Sequence, residues 1–198
     1  MKHKHCLFCL EPLDDTTVEY HEACSKSFFG SVQPPTLDYT MDQMDALATT
    51  VVSSHIAVTG VQPKLSLSLI HDTLQKANRK RLTVVGALGG NFILKPPTVH
   101  YPELPANEHL TMKMASLFGI ETVPCSLIRL GSGELAYITK RIDRTDEGSK
   151  IHMLDMFQIT DAVDKYKGSM ERVGKAIAEY SSNTLLDKLR YFEVVLFC

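Results

Sequence analysis

The sequence predicts an α+β fold in which an antiparallel sheet carrying one helix is followed by helices only, behind a small cysteine-rich module. Three observations predict it. Alternating and β-branched runs occupy residues 65–95 and 123–141, one helical pattern interrupts them at 106–118, and from residue 153 onward the apolar period is helical. Runs of strands followed by runs of helices indicate two lobes, not an alternating parallel sheet. Of the 198 residues, 44% are hydrophobic and 22% charged, which excludes wholesale disorder. A formal charge of −2 supplies no global field for nucleic acid or an anionic membrane. No apolar run approaches the roughly 20 residues that span a bilayer, and no secretory segment precedes the first cysteines. The sequence therefore reads as cytoplasmic.

The elements follow in order. Residues 1–30 are dense in Cys, His and aromatics, with a helix expected from His21 to Phe29 and closed by Gly30. Gln33-Pro34-Pro35 breaks the chain, giving a module at 1–30 and a second unit at 31–141. Met41, Met44 and Leu47 have helical spacing. Leu65–Leu69 alternates strictly, Leu82–Val85 is β-rich, and Asn91–Lys95 runs into Pro96-Pro97, so three strands are expected. Pro105-Ala106-Asn107-Glu108 opens a helix through Phe118 whose apolar stripe is Leu110, Met114, Leu117 and Phe118. Val123–Leu130 and Leu135–Arg141 make a hairpin around Gly131-Ser132-Gly133-Glu134. A third unit, 142–198, begins with a polar loop and continues as helices at 153–163, 169–180 and from Thr184 onward. Tyr191–Cys198 stops inside an apolar helix, from which more chain is expected beyond it.

Five cysteines is an odd number, and three fall in the first 24 residues, which suits a metal site in a reducing compartment. Cys6-x2-Cys9 and His21-x2-Cys24 supply four zinc-type donors in two pairs, each short enough to share one tetrahedral ion. Four protein ligands leave no open position, so a bound Zn2+ would be structural, and thirty residues need such support. Asp14, Asp15, Glu19 and Glu22 argue against nucleic-acid binding by this module. Cys125 and Cys198, set in apolar runs, are expected as buried thiols.

Further along, five pieces occur in the order an ATP-binding lobe requires. Thr59, Gly60, Gln62 and Lys64 form a turn that can bring backbone N–H groups to phosphate oxygens. Its single glycine matches neither a Walker loop nor an ordinary kinase Gly-rich loop. Lys95 ends an apolar strand, where its ammonium can reach phosphates, and Glu108 on the next helix is placed to hold it. Lys140, Arg141 and Ile142 leave the hairpin where a kinase hinge would contact adenine, with Ile142 packing on the base; the bland alternative is an exposed charge run. The all-helical continuation is the fifth piece.

Thr59-Gly60-Val61-Gln62-Pro63-Lys64-Leu65, Gly90-Asn91-Phe92-Ile93-Leu94-Lys95-Pro96, Leu104-Pro105-Ala106-Asn107-Glu108-His109 and Lys140-Arg141-Ile142-Asp143-Arg144 together resemble HipA-type serine/threonine kinase toxins, most of all the shorter HipT form. The resemblance implies a kinase-like N-lobe, ATP with Mg2+, and phosphorylation of a protein such as an aminoacyl-tRNA synthetase. It also implies restraint by a helix-turn-helix antitoxin of HipB type and autophosphorylation in the loop at Ala57–Lys64. Ala57 stands where family members carry serine, which leaves Thr59 as the acceptor. The family's catalytic Asp and metal-binding Asn and Asp lie beyond the helix ending at Phe197-Cys198, and no catalytic residue is identified among these 198. The piece by itself is expected to be inactive. The competing reading is a non-catalytic truncated module that binds a protein partner.

Overall fold

The computed structural model describes residues 4–44, 46–47, 64–71, 80–85, 90–145, 149–164 and 167–198. Its centre is a five-stranded antiparallel sheet. In chain order the strands are β1 (Leu65–His71), β2 (Lys80–Val84), β3 (Phe92–Lys95), β4 (Cys125–Arg129) and β5 (Leu135–Lys140), arranged β2-β1-β3-β5-β4. The helices are α1 (Glu22–Phe29), α2 (Leu104–Leu117), α3 (Met156–Ile159), α4 (Met170–Tyr180) and α5 (Thr184–Phe197). Residues 41–44 and 46–47 are also helical.

Pairing register sorts the sheet into two faces, because residues directly opposite each other share one. Leu65 pairs with Leu94, Leu94 with Ile138 and Phe92 with Lys140. Those residues lie on one face, and Ser66, Ile93, Lys95, Tyr137 and Thr139 on the other. The first face carries the main core: Leu65, Leu67, Leu82, Leu94, Ala136 and Ile138 are all buried.

Residues 4–40 strap across that face. At one end the Leu127 N–H donates to the Leu7 carbonyl at 2.9 Å, which satisfies the outer edge of β4. In the middle, Phe28 and Phe29 pack on Phe92 with ring centroids 5.8 and 6.2 Å apart. At the far end the Leu82 N–H donates to the Thr36 carbonyl at 3.0 Å on the edge of β2. Both sheet edges are thereby covered, which removes the templates for edge-to-edge association. The compositional break near residue 31 does not divide the core, since Cys6, Leu7, Tyr20, Phe28 and Phe29 belong to one buried cluster with the sheet residues. A thirty-residue module is too small to bury its own apolar surface, and it borrows the sheet to do so.

Several expectations are corrected. The Leu110, Met114, Leu117 and Phe118 stripe of α2 is exposed, and the buried face is Pro105, His109 and Ala115. The small, polar face packs because it must approach β4 and β5 closely. The helix expected at 153–163 is one turn, Met156–Ile159, opened by an Asp155–Gln158 capping box and ended where Asp161 takes φ 48°. Cys198 is exposed, whereas Cys125 is buried as expected. Among the described residues, no helix is long and apolar enough to cross a membrane.

Candidate functional site

The polar face of the sheet gathers the lysine, the carboxylate and an aromatic ring. β3 ends at Lys95 because Pro96 and Pro97 lack the N–H groups that would continue the ladder. Lys95 Nζ forms an ion pair with Glu108 Oε1, both side chains largely shielded from solvent. The same ammonium lies 5.1 Å from the ring centroid of Tyr137, its register partner on β5. Burial, followed by the proximity of Cys125, pushes the Tyr137 phenol far above its ordinary value, so it stays protonated. Lys95 is thus a cation held in place by a carboxylate and an aromatic face.

The residue after Glu108 anchors α2. His109 is fully buried, with Nε2 donating to the Phe8 carbonyl at 3.1 Å and Nδ1 3.6 Å from Cys125 Sγ. Burial, with a further contribution from the Lys113 charge, pulls its pKa down to about 4, so the imidazole is neutral at physiological pH. In the sequence, His109 stands within the Leu104–His109 motif with nothing to mark this role. Its partners are 101 and 16 residues away, and no local pattern signals them.

Arg141 and Asp143 form a second fixed cluster. Arg141 Nε and Nη2 donate to the two Asp143 oxygens at 2.8 and 2.6 Å, while Nη1 donates to Ser66 Oγ on β1 at 3.2 Å. Arg144 Nη1 donates to Asp143 Oδ2 at 2.6 Å. These guanidiniums hold the Asp143 carboxyl down at about 2. The charge run 140–144 is therefore mostly a shielded network, not a solvated strip. Gly90, just ahead of β3, has φ 83°, and a Cβ there would meet the Leu67 carbonyl oxygen at 2.4 Å. Only glycine lets this turn lie against β1, a physical reason for the Gly90-Asn91 motif.

The remaining predicted residues are placed differently. Lys140 lies on the opposite face from Lys95, with Nζ 5.7 Å from the Phe28 ring centroid and 3.5 Å from the Ser27 carbonyl oxygen. The two-residue period of β5 puts it there. Ile142 is over half exposed and lines a cleft of about 640 Å³ with Gly119–Pro124 and with Arg190, Glu193 and Val194 of α5, a cleft that neither Lys95 nor Glu108 lines. Thr59, Gly60 and Gln62 lie outside the described residues. Lys64 immediately precedes β1.

The N-terminal donors come together. One ligand atom from each of Cys6, Cys9, His21 and Cys24 lies within 4.8 Å of the others, so the cluster could bind zinc. His21 Nδ1 is 3.4 Å from Cys9 Sγ and 3.8 Å from Cys24 Sγ. Tetrahedral geometry with Zn–S near 2.3 Å and Zn–N near 2.0 Å requires ligand separations of about 3.5–3.8 Å. His21 Nε2 donates to the Pro12 carbonyl at 3.1 Å, which leaves Nδ1 with its lone pair towards the sulfurs, the tautomer of a metal-bound imidazole. Burial raises the Cys6 thiol, but hydrogen bonds from the backbone N–H groups of Cys9, Phe8 and His21 outweigh it and leave the value at about 7. Burial and the neighbouring thiols push Cys24 up to about 12. Crowded sulfurs of this kind cannot all ionise without a cation between them.

Residues 56–198 match the family described as HipA-like C-terminal domain. Among curated proteins, a "Putative kinase" from Haemophilus influenzae (strain ATCC 51907 / DSM 11121 / KW20 / Rd) is 25% identical over 155 residues, covering 72% of this chain and 43% of the relative. "Putative kinase Y4dM" from Sinorhizobium fredii (strain NBRC 101917 / NGR234) is 31% identical over 103 residues, covering 45% of this chain and 25% of the relative. The chain spans less than half the length of either.

Proposed function

The chain belongs to the HipA-like C-terminal domain family, and on that premise we propose that its sheet and α2 form the nucleotide-binding lobe of a serine/threonine protein kinase. The observation that carries this reading is the Lys95–Glu108 pair on the polar face of the sheet. In kinase chemistry a strand lysine neutralises nucleotide phosphates, and a helix carboxylate keeps it extended towards them. Lys95 would hold α- and β-phosphate oxygens of ATP, Glu108 and Tyr137 would orient it, and Thr59–Lys64 would cover the nucleotide. The Arg141–Asp143–Arg144 network supports this by fixing the start of the hinge to β1.

Mg2+ would neutralise phosphate charge beside Lys95 when nucleotide is bound. The 198 residues carry no Asp-Phe-Gly or His-Arg-Asp segment, so nucleotide binding is expected of them and phosphoryl transfer is not. Autophosphorylation at Thr59, a protein substrate such as an aminoacyl-tRNA synthetase, a HipB-type antitoxin and a toxin–antitoxin role belong to the same proposal and rest on the family resemblance. Zn2+ at Cys6, Cys9, His21 and Cys24 is supported by the donor set and by the His21–Pro12 hydrogen bond.

Fluorescence titration with an N-methylanthraniloyl ATP analogue tests the reading. The wild-type chain is expected to bind it, and Glu108→Gln, which keeps the shape and removes the charge, to bind about fivefold to tenfold more weakly. Equal affinity for both proteins, or no binding by either, would contradict it.

A further inference from the structure

The Cys6–Cys9 turn touches α2, the helix that carries Glu108. Phe8, one of the two residues between these cysteines, offers its carbonyl to the buried His109 Nε2 at 3.1 Å and its ring to Lys113 Nζ, 4.2 Å from the centroid. His109 and Lys113 are one helical turn apart, so the turn grips the same face of α2 at two successive levels. His109 adjoins Glu108, and its Nδ1 reaches Cys125 on β4. The helix is thereby held between the N-terminal turn and the sheet.

The turn itself bends sharply at Leu10. Leu10 takes φ 68°, an uncommon conformation for a residue with a β-carbon, while its N–H donates to the Cys6 carbonyl at 3.0 Å. A metal ion across Cys6 and Cys9 would lock this conformation and with it the direction of the Phe8 carbonyl. The strap that contains it precedes the family match at 56–198 and adds a constraint from outside that region.

We propose that Cys6, Cys9, His21 and Cys24 hold a Zn2+ ion whose function is to position α2, through Phe8 and His109, so that Glu108 meets Lys95. Zinc is a positioning group in this scheme and takes no part in chemistry. Its effect on nucleotide affinity rests on the preceding reading of Lys95 and Glu108, whereas its effect on α2 does not.

The test is hydrogen–deuterium exchange on the whole chain, with zinc content measured by elemental analysis. The wild type is expected to carry one zinc per chain, and stripping the metal with a chelator to speed exchange of the α2 amides about tenfold or more while the α4 amides change little. His109→Leu is expected to retain its zinc yet show the fast α2 exchange, and chelation should then add little. His109→Gln, whose amide can still donate to the Phe8 carbonyl, should restore protection. Zinc-free wild type, unchanged α2 exchange after stripping, equal acceleration in α2 and α4, or an unaffected His109→Leu would each overturn the proposal. Titration with the ATP analogue separates the two readings. Normal α2 control with no nucleotide binding sinks the kinase-lobe assignment alone, whereas binding that survives stripping together with an unmoved α2 sinks the zinc proposal alone.

Discussion

The two faces of the sheet differ in kind, and the difference is set by single-residue parity. On the strap side, Phe28, Phe29, Phe92, Leu94 and Ile138 make a buried apolar core. On the other side, Lys95, Tyr137, Thr139 and Ser66 lie with Glu108 and Arg141 around them. Lys95 and Lys140 sit on neighbouring strands and carry the same side chain, yet one pairs with a carboxylate and the other lies over a phenyl ring. A lysine at a strand end therefore acquires a role from its face, and the residue type alone cannot assign it.

Substitutions on each face sharpen this contrast. Phe28→Ala should have the largest effect on stability, about 3–5 kcal/mol by denaturant unfolding, because it empties the centre of the strap-side core. Asp143→Asn should cost about 1–3 kcal/mol, since it leaves two shielded guanidiniums short of a charged acceptor. Asp143 has a native pKa of about 2 against an ordinary 3.8. Its depressed value means that its contribution is complete above pH 3.8 and is lost as pH falls through about 2. The variant should unfold with a shallower pH dependence across that window, as followed by circular dichroism. Tyr20→Phe removes the 2.5 Å bond from the phenol to the Leu127 carbonyl and should cost about 1 kcal/mol, with the zinc content unchanged.

Legibility in the sequence followed the range of the forces involved. Helix α1 with its Gly30 stop, the alternation at Leu65–Leu69 and the Gly131–Glu134 hairpin are local patterns, and the structure contains each of them. The four metal donors were also legible, because ligand spacing is a short-range signal. What failed was orientation. The Leu110–Met114–Leu117 spacing identifies a helix, but the buried side of α2 is chosen by Cys125 and Phe8, which are distant in sequence. The helix expected over 153–163 has apolar residues at the right spacing, but among the described residues nothing buries them: Met153, Leu154, Met156 and Val163 are all exposed. Lys140 lies in the strand that leads out of the hairpin, and only the pairing register shows that it faces away from Lys95.

Titration of Lys95→Met and Lys140→Met with the N-methylanthraniloyl ATP analogue, beside the wild type, tests the assignment of the two faces most directly. Loss of the Lys95 charge should weaken binding about tenfold or more, because a charge-assisted contact to phosphate disappears. Loss of the Lys140 charge should leave affinity within about twofold of wild type. Equal losses at both positions, or a loss at Lys140 alone, would contradict the placement of the nucleotide on the Lys95 face.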